Sequence, residues 1–263
     1  MTTQMAPARD TRQPATDRQP AVRLDHVSKA FGARKVLDDV SLDIAAGIGF
    51  VILGRSGTGK SVLLRHIIGL VQPDQGKVFV GAAEVSALAG LALSKVRQSI
   101  GFLFQNAALF DSISVGENVA FPMRRHTKLR DAEIRERAQQ KLAAVGLERE
   151  YTKMPAALSG GMRKRAGLAR AMALDPAVLL VDEPSAGLDP ITSDEIDTLL
   201  FELKGQGGTT IVIVTHNIPS ARRLGDELVM LHEGKILARG TAGDLDRSDN
   251  EMVHAFMQSQ HSG

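Results

Sequence analysis

The chain has 263 residues, enough to bury the core of one large α/β domain or of a domain carrying a subdomain. Its 32 Lys and Arg are offset by 30 Asp and Glu, a net charge of +2 that argues against nucleic acid as a partner. There is no cysteine, which excludes disulfides and thiolate metal sites, and no uninterrupted apolar stretch approaches the ~20 residues that span a bilayer.

Residues 1–20 mix Pro, Gln, Thr, Arg and Asp without an apolar core and are expected to form a disordered polar leader. Val22, Leu24 and His26 then alternate with Arg23 and Asp25, and Val40, Leu42 and Ile44 repeat the alternation, as strands do. The continuous apolar run Phe50–Leu53 reads as a strand covered on both faces. A Gly-rich turn follows, then helical spacing from Ser61 to Leu70 and a strand at Lys77–Gly81. From Leu91 to Leu147 the pattern is mostly helical, broken at Pro122 and clearest over Arg130–Val145. Strand-like runs return at Val178–Val181, Ile211–Val214, Leu228–Leu231 and Lys235–Leu237. Helices are expected at Ile191–Leu203, at Ser220–Leu224 and from about Asp244 to Gln258. Strands alternating with helices predict an α/β fold around a mostly parallel sheet. The opening strands and the helical middle predict added subdomains.

The chemistry is concentrated in two places. Gly54-Arg55-Ser56-Gly57-Thr58-Gly59-Lys60-Ser61 matches the P-loop pattern in full, directly after an apolar strand and before a helix. Its glycines let backbone N–H groups wrap phosphate oxygens at the positive end of the following helix. Lys60 is then expected to reach the β- and γ-phosphates, and the Ser61 hydroxyl to ligate Mg²⁺. Downstream, the strand Ala177–Val181 delivers Asp182 and Glu183 to the same sheet edge. Asp182 is expected to hold Mg²⁺ through water, and Glu183 to orient or deprotonate the attacking water. Adjacent carboxylates at the end of a buried strand are costly unless a cation neutralises them.

A P-loop also occurs in kinases, GTPases and helicases. The discriminating segment is Leu158-Ser159-Gly160-Gly161-Met162, followed by the basic helical stretch Arg163–Leu174. Here the chain resembles the ATP-binding cassette (ABC) ATPases, whose signature is usually Leu-Ser-Gly-Gly-Gln; Met162 departs from that Gln. The resemblance covers nearly all of the chain after the leader. It implies a P-loop NTPase fold with a mixed RecA-like core sheet, an N-terminal antiparallel β-subdomain and a helical subdomain inserted over about 106–173, all within one domain spanning 21–263. It also implies that Phe31 stacks on adenine, that Gln105 touches Mg²⁺ and relays to a membrane partner, and that Asp189 acts across a dimer. His216 is implied to contact the γ-phosphate. Val62 completes the set expected to line ATP.

A narrower resemblance lies in Gly54–Leu64 with Val62, in Phe104–Ser112 leading into Val115–Val119, in Met162, and in Asp189–Ser193. This combination is similar to the ATPases of Mla-type systems, which move phospholipid between membranes. It implies a homodimer with ATP and Mg²⁺ as cofactors, held peripherally at the cytoplasmic face of the inner (plasma) membrane. The partners it implies are a multi-span permease and an Mce-domain lipid-binding subunit. Another ABC importer or exporter with different cargo is the alternative. Two surface features stand apart. The stripe Met252, Val253, Phe256 and Met257 is expected to pack on its own domain rather than on a second subunit. The basic run Arg124–Arg130 is expected to be a solvated face.

Overall fold

The computed structural model describes residues 19–259, so all but Gln19 and Pro20 of the expected leader lie outside the described residues. The first part of the chain runs β1 (Val22–Phe31), β2 (Arg34–Ile44), β3 (Gly49–Leu53), α1 (Lys60–Ile67), β4 (Gln75–Val80), β5 (Ala83–Glu84), α2 (Gly90–Gln98) and β6 (Ile100–Leu103). Three helices follow, α3 (Val115–His126), α4 (Asp131–Ala143) and α5 (Gly160–Ala171). The remainder is β7 (Val178–Asp182), α6 (Pro190–Gly207), β8 (Thr210–Thr215), α7 (Ile218–Leu224), β9 (Glu227–His232), β10 (Lys235–Gly240), α8 (Ala242–Asp246) and α9 (Glu251–Gln258).

Two sheets result. Strands β2-β1-β4-β5 form an antiparallel sheet, and β10-β9-β3-β8-β7-β6 form a sheet that is parallel except for the β9–β10 hairpin. Every residue of β3, β7 and β8 is buried, because the larger sheet is covered on both faces. Successive side chains of a strand point to opposite faces. Phe50 and Ile52 therefore join a core with Val22, Leu24 and Leu64, under the antiparallel sheet and α1. Val51 and Leu53 join a second core with Val119, Leu142, Ala166 and Ile196, under the helices. This two-sided burial fixes the C-terminal ends of β3, β7 and β8 side by side, the edge at which parallel α/β sheets place their ligands.

Four expectations are corrected. Ile100–Leu103 is a buried strand at the sheet edge, where helix was expected; four apolar residues are too short a run for periodicity to separate the two. Pro122 lies inside α3 without ending it. Its fixed φ suits a helix, and the Ser114 cap together with buried Val115, Val119 and Met123 holds the helix across the missing donor. His26 does not share the inward face of Val22 and Leu24. A bulge, with His26 at φ 53°, gives that place to Val27 and leaves His26 exposed against Asp39 at 2.7 Å. The last helix is two, capped separately by Thr241 and Asn250. In α9, Val253 and Met257 are buried and Phe256 packs against the core, as expected of a stripe serving its own domain, while Met252 stays exposed.

Between β6 and α3 the backbone depends on one buried amide. Asn118 accepts from the Phe110 N–H (2.8 Å) and donates to the carbonyls of Phe110 (3.0 Å), Ile113 (3.3 Å) and Ser114 (3.0 Å). Asn118→Leu leaves the Phe110 N–H and the side-chain contacts to the Phe110 and Ile113 carbonyls unmade, while the Ser114 carbonyl keeps the backbone N–H of residue 118 at 2.9 Å; we expect a loss of about 2–4 kcal/mol, read as a lower denaturation midpoint with an unchanged m value.

Candidate active site

The turn Gly54–Gly59 joins a buried strand to a helix whose N-cap, Gly59, offers no side-chain acceptor, so the first N–H groups of α1 face the loop. Two glycines are demanded by space. A Cβ on Gly54 would lie 2.4 Å from the Leu231 carbonyl oxygen, and one on Gly59, at φ 101°, would lie 2.8 Å from that of Val36. Thr58 Oγ1 closes the turn on the Arg55 carbonyl at 2.9 Å, and Arg55, Ser56 and Gly57 are exposed around it. Above the turn is a cavity of about 340 Å³. It is lined by Ser56, Gly57, Gly59, Lys60, Ser61, Val62, Gln105, Glu183 and His216, with Arg34, Val36 and Ala186.

The floor of that cavity is a charged cluster. Lys60 is 5% exposed; its Nζ donates to the carbonyls of Gly54 (2.8 Å) and Arg55 (3.1 Å) and lies 3.3 Å from Glu183 Oε1. The other carboxylate oxygen of Glu183 is 2.9 Å from His216 Nδ1. Ser61 Oγ donates to Asp182 Oδ1 at 2.8 Å. Burial pushes the Asp182 carboxyl above its ordinary pKa; the Ser61 hydroxyl pulls it back and the neighbouring Glu183 charge pushes it up again. A hydroxyl beside a carboxylate whose charge is poorly solvated is a set of hard oxygen donors, and it fits a divalent cation such as Mg²⁺.

Other expected residues lie elsewhere. Phe31 ends β1, 49% exposed, with the Lys29 ammonium 5.5 Å from its ring centroid, and it does not line the cavity. Ser159 caps α5, accepting from the Met162 N–H at 3.2 Å, so Gly160 and Gly161 open that helix. Asp189 caps α6, accepting from the N–H (3.0 Å) and hydroxyl (2.6 Å) of Thr192, bonds that hold its pKa down. These two helix starts meet each other: a Cβ on Gly161 would lie 2.3 Å from Thr192 Cγ2, and one on Gly160 3.5 Å from Leu188. Neither Ser159–Gly161 nor Asp189 lines the cavity over the P-loop. The side chain of Met162 packs half-buried against the helical core.

The profile of the family described as "ABC transporter" matches residues 37–186. This chain belongs to that family. The probable ribonucleotide transport ATP-binding protein mkl of Mycobacterium leprae is 41% identical over 243 residues, 92% of this chain and 70% of the relative. The intermembrane phospholipid transport system ATP-binding protein MlaF of Escherichia coli is 38% identical over 242 residues, 92% of this chain and 90% of the relative. Among solved structures, a dimeric post-hydrolysis state of the ATP-binding cassette MJ0796 bound to ADP and Pi superposes with a TM-score of 0.78 at 34% identity. It covers 84% of this chain and 98% of that one. The ABC ATPase fold and ATP hydrolysis follow for this chain.

Three residues of this ABC cassette escaped the sequence reading. Arg34 and Val36 line the cavity because β2 crosses beside the loop, with Arg34 Nη2 donating to the Gly57 carbonyl at 2.9 Å. Nothing in the sequence marks that crossing. Lys164, 5% exposed, donates to the carbonyls of Glu183 (3.1 Å) and Pro184 (2.8 Å). Its signal was legible: it stands three residues after Gly161 and four before Leu168, both buried, a charge on the inward stripe of α5.

The Asp182 shift has a measurable consequence. Well below the ordinary carboxylate pKa the group is protonated folded and unfolded alike, so burial costs nothing; as pH rises from there the unfolded chain releases its proton first and stability falls, the loss being complete above the raised folded-state pKa. Asp182→Asn should therefore melt above the wild type at pH 8 without nucleotide, with the margin vanishing below about pH 4. The Mg²⁺-dependent part of stabilisation by nucleotide should disappear in the same variant. Thermal melts across pH, with and without Mg²⁺, check both.

Proposed function

We propose that this chain works as a homodimer that sandwiches two MgATP and powers movement of phospholipid between membranes in an Mla-type system. The observation that supports the two-copy reading most is the one-sidedness of the site. Lys60, Ser61, Gln105, Asp182, Glu183 and His216 gather at the C-terminal edge of the sheet, while Ser159, Gly160 and Gly161, at the anion-seeking start of α5, do not line the cavity over the P-loop. The hydroxyl of Ser159, the first N–H groups of α5 and its helix dipole favour an anion that the same chain does not bring to them. Ser159, Gly160 and Gly161 of a second copy, with its Asp189, complete each site.

Within one site the steps follow from the contacts. The β- and γ-phosphates draw Lys60 away from Glu183 Oε1, while the N–H groups of Gly57, Gly59 and α1 wrap their oxygens; Thr58 and the backbones of Arg55 and Ser56 shape the wrap. Ser61 and Asp182, with Gln105, would hold Mg²⁺, which would supply charge neutralisation of the phosphates. Glu183, released from Lys60, accepts a proton from the attacking water. The water oxygen bonds to the γ-phosphorus, and the bond to ADP breaks with its electron pair on the ADP oxygen. His216, 2.9 Å from Glu183, fixes that carboxylate and donates to the γ-phosphate. Phe31, exposed at the hairpin end, offers its face to adenine. Loss of the bridging phosphate lets the copies part, and that movement is delivered to a multi-span permease at the cytoplasmic face of the inner membrane. Among the described residues no helix is long and apolar enough to cross a membrane, which supports peripheral attachment through partners.

Phospholipid as cargo rests on the relative MlaF and on the sequence combination around Val62, Met162 and Asp189–Ser193. A different cargo is favoured by the mkl relative, whose name specifies ribonucleotide transport and whose identity is 41%. Two measurements decide. Glu183→Gln should keep ATP binding, lower turnover ~10²–10⁴-fold and elute as a dimer with MgATP; Lys60→Ala should lose ATP binding. Wild-type turnover in Glu183→Gln refutes the base. Purification from membranes should bring a permease, an Mce-domain protein and bound phospholipid; a permease without lipid or Mce domain refutes the Mla-type reading.

A further inference from the structure

The catalytic carboxylate stands on unusual backbone. Glu183 has φ 46°, a left-handed conformation that a non-glycine residue keeps only when its surroundings over-determine it. Its N–H is fixed by the Val214 carbonyl at 2.9 Å, across the sheet. Its carbonyl is fixed from the other side by Lys164, whose Nζ also reaches the carbonyls of Pro184 (2.8 Å) and Ala186 (3.4 Å). Three carbonyls of one turn thus converge on a single ammonium. No carboxylate comes within ion-pair distance of it among the described residues, although the ammonium is buried. Burial pushes the Lys164 pKa down, and the charges of Glu183 and Asp182 oppose that shift. An ammonium held under those conditions for mere packing is an expensive choice, since an apolar side chain fills the same space without desolvating a charge.

The position of Lys164 on α5 gives the contact meaning. Ser159 caps this helix, and Lys164 follows five residues later, about 7.5 Å along a rigid rod. Further along the same rod Arg170 repeats the device, donating to the carbonyls of Ala107 (2.9 Å) and Ala108 (2.8 Å). Those residues are also left-handed, at φ 58° and 50°, and they follow Gln105. One helix therefore grips two strained turns, one leading from Gln105 and one beginning at Glu183.

We propose that Lys164 is a positioning residue: it ties the backbone of Glu183 to the helix that Ser159 opens, so that a nucleotide gripped by α5 on the partner copy sets the carboxylate of this chain's own site. The proposal rests on the two-copy reading above. It makes the two composite sites mechanically dependent, because each α5 serves one nucleotide at its start and the opposite site's carboxylate at Lys164.

The test uses the full chain. Lys164→Met should lower kcat for MgATP by about tenfold to a hundredfold, the rate equivalent of one lost charge-assisted hydrogen bond, while the MgADP Kd measured by calorimetry stays within about twofold. Lys164→Arg, which keeps donors for the carbonyls, should recover most of the loss, and Lys164→Gln should fall between. Should Lys164→Met fold poorly, the Arg and Gln variants carry the same ordering in kcat per folded molecule. A Lys164→Met protein with wild-type kcat per folded molecule overturns the proposal, as does one whose only change is weaker nucleotide binding, read as a raised KM with kcat unchanged. An active dimeric wild type beside a fully active Lys164→Met sinks the Lys164 assignment alone; a wild type that is fully active as a monomer sinks the two-copy reading beneath it.

Discussion

Two carboxylates at the end of a strand buried on both faces are the constraint around which the rest of this cassette is arranged. Asp182 and Glu183 leave β7 with little water around them, and their repulsion has to be met by groups from distant parts of the chain. Ser61 donates to one and Lys60 to the other, both from the start of α1; His216 approaches from the end of β8. Lys164 secures the backbone from α5. The six-stranded sheet makes this convergence possible, because its register sets Leu53 beside Thr215 and Asp182 beside Val214. Moving any of those strands by one residue would turn the donors to the wrong face.

The same constraint explains why phosphate and a divalent cation suit this edge. Lys60 is presently shared between two loop carbonyls and Glu183, a weak competitor for a polyanion that offers several charged oxygens. Under the proposed mechanism, exchange of one acceptor for another would both bind the nucleotide and release Glu183 as base, so that ground-state binding and activation would be one event. The start of α5 does not line this pocket within its own chain, and under the proposed two-copy reading a second copy would supply it.

Much of this was legible in the sequence because the decisive signals are local. A continuous apolar run, a glycine turn and a helical spacing predicted β3, the loop and α1 in order, and Val178–Asp182 likewise announced a buried strand ending in acids. What stayed hidden depends on tertiary partners. Ile100–Leu103 pairs with β7 to become a strand, although helix-like sequence surrounds it. His26 loses its inward place to a bulge that no alternation reveals. Pro122 is tolerated because packing on both sides of it outweighs one missing hydrogen bond. The left-handed backbone of Glu183 and the crossing of Arg34 over Gly57 have no sequence signal, since each is imposed by a neighbour more than twenty residues away.

The absence of native cysteine allows the two-copy site to be tested by a single pair of introduced thiols. Protein carrying Ser56→Cys is mixed with protein carrying Ser159→Cys, both in the Glu183→Gln background, and oxidised with and without MgATP. A disulfide-linked heterodimer that forms only with nucleotide is the predicted result. Failure of the pair to crosslink in MgATP, or an intramolecular disulfide when both thiols are placed in one chain, would contradict the account.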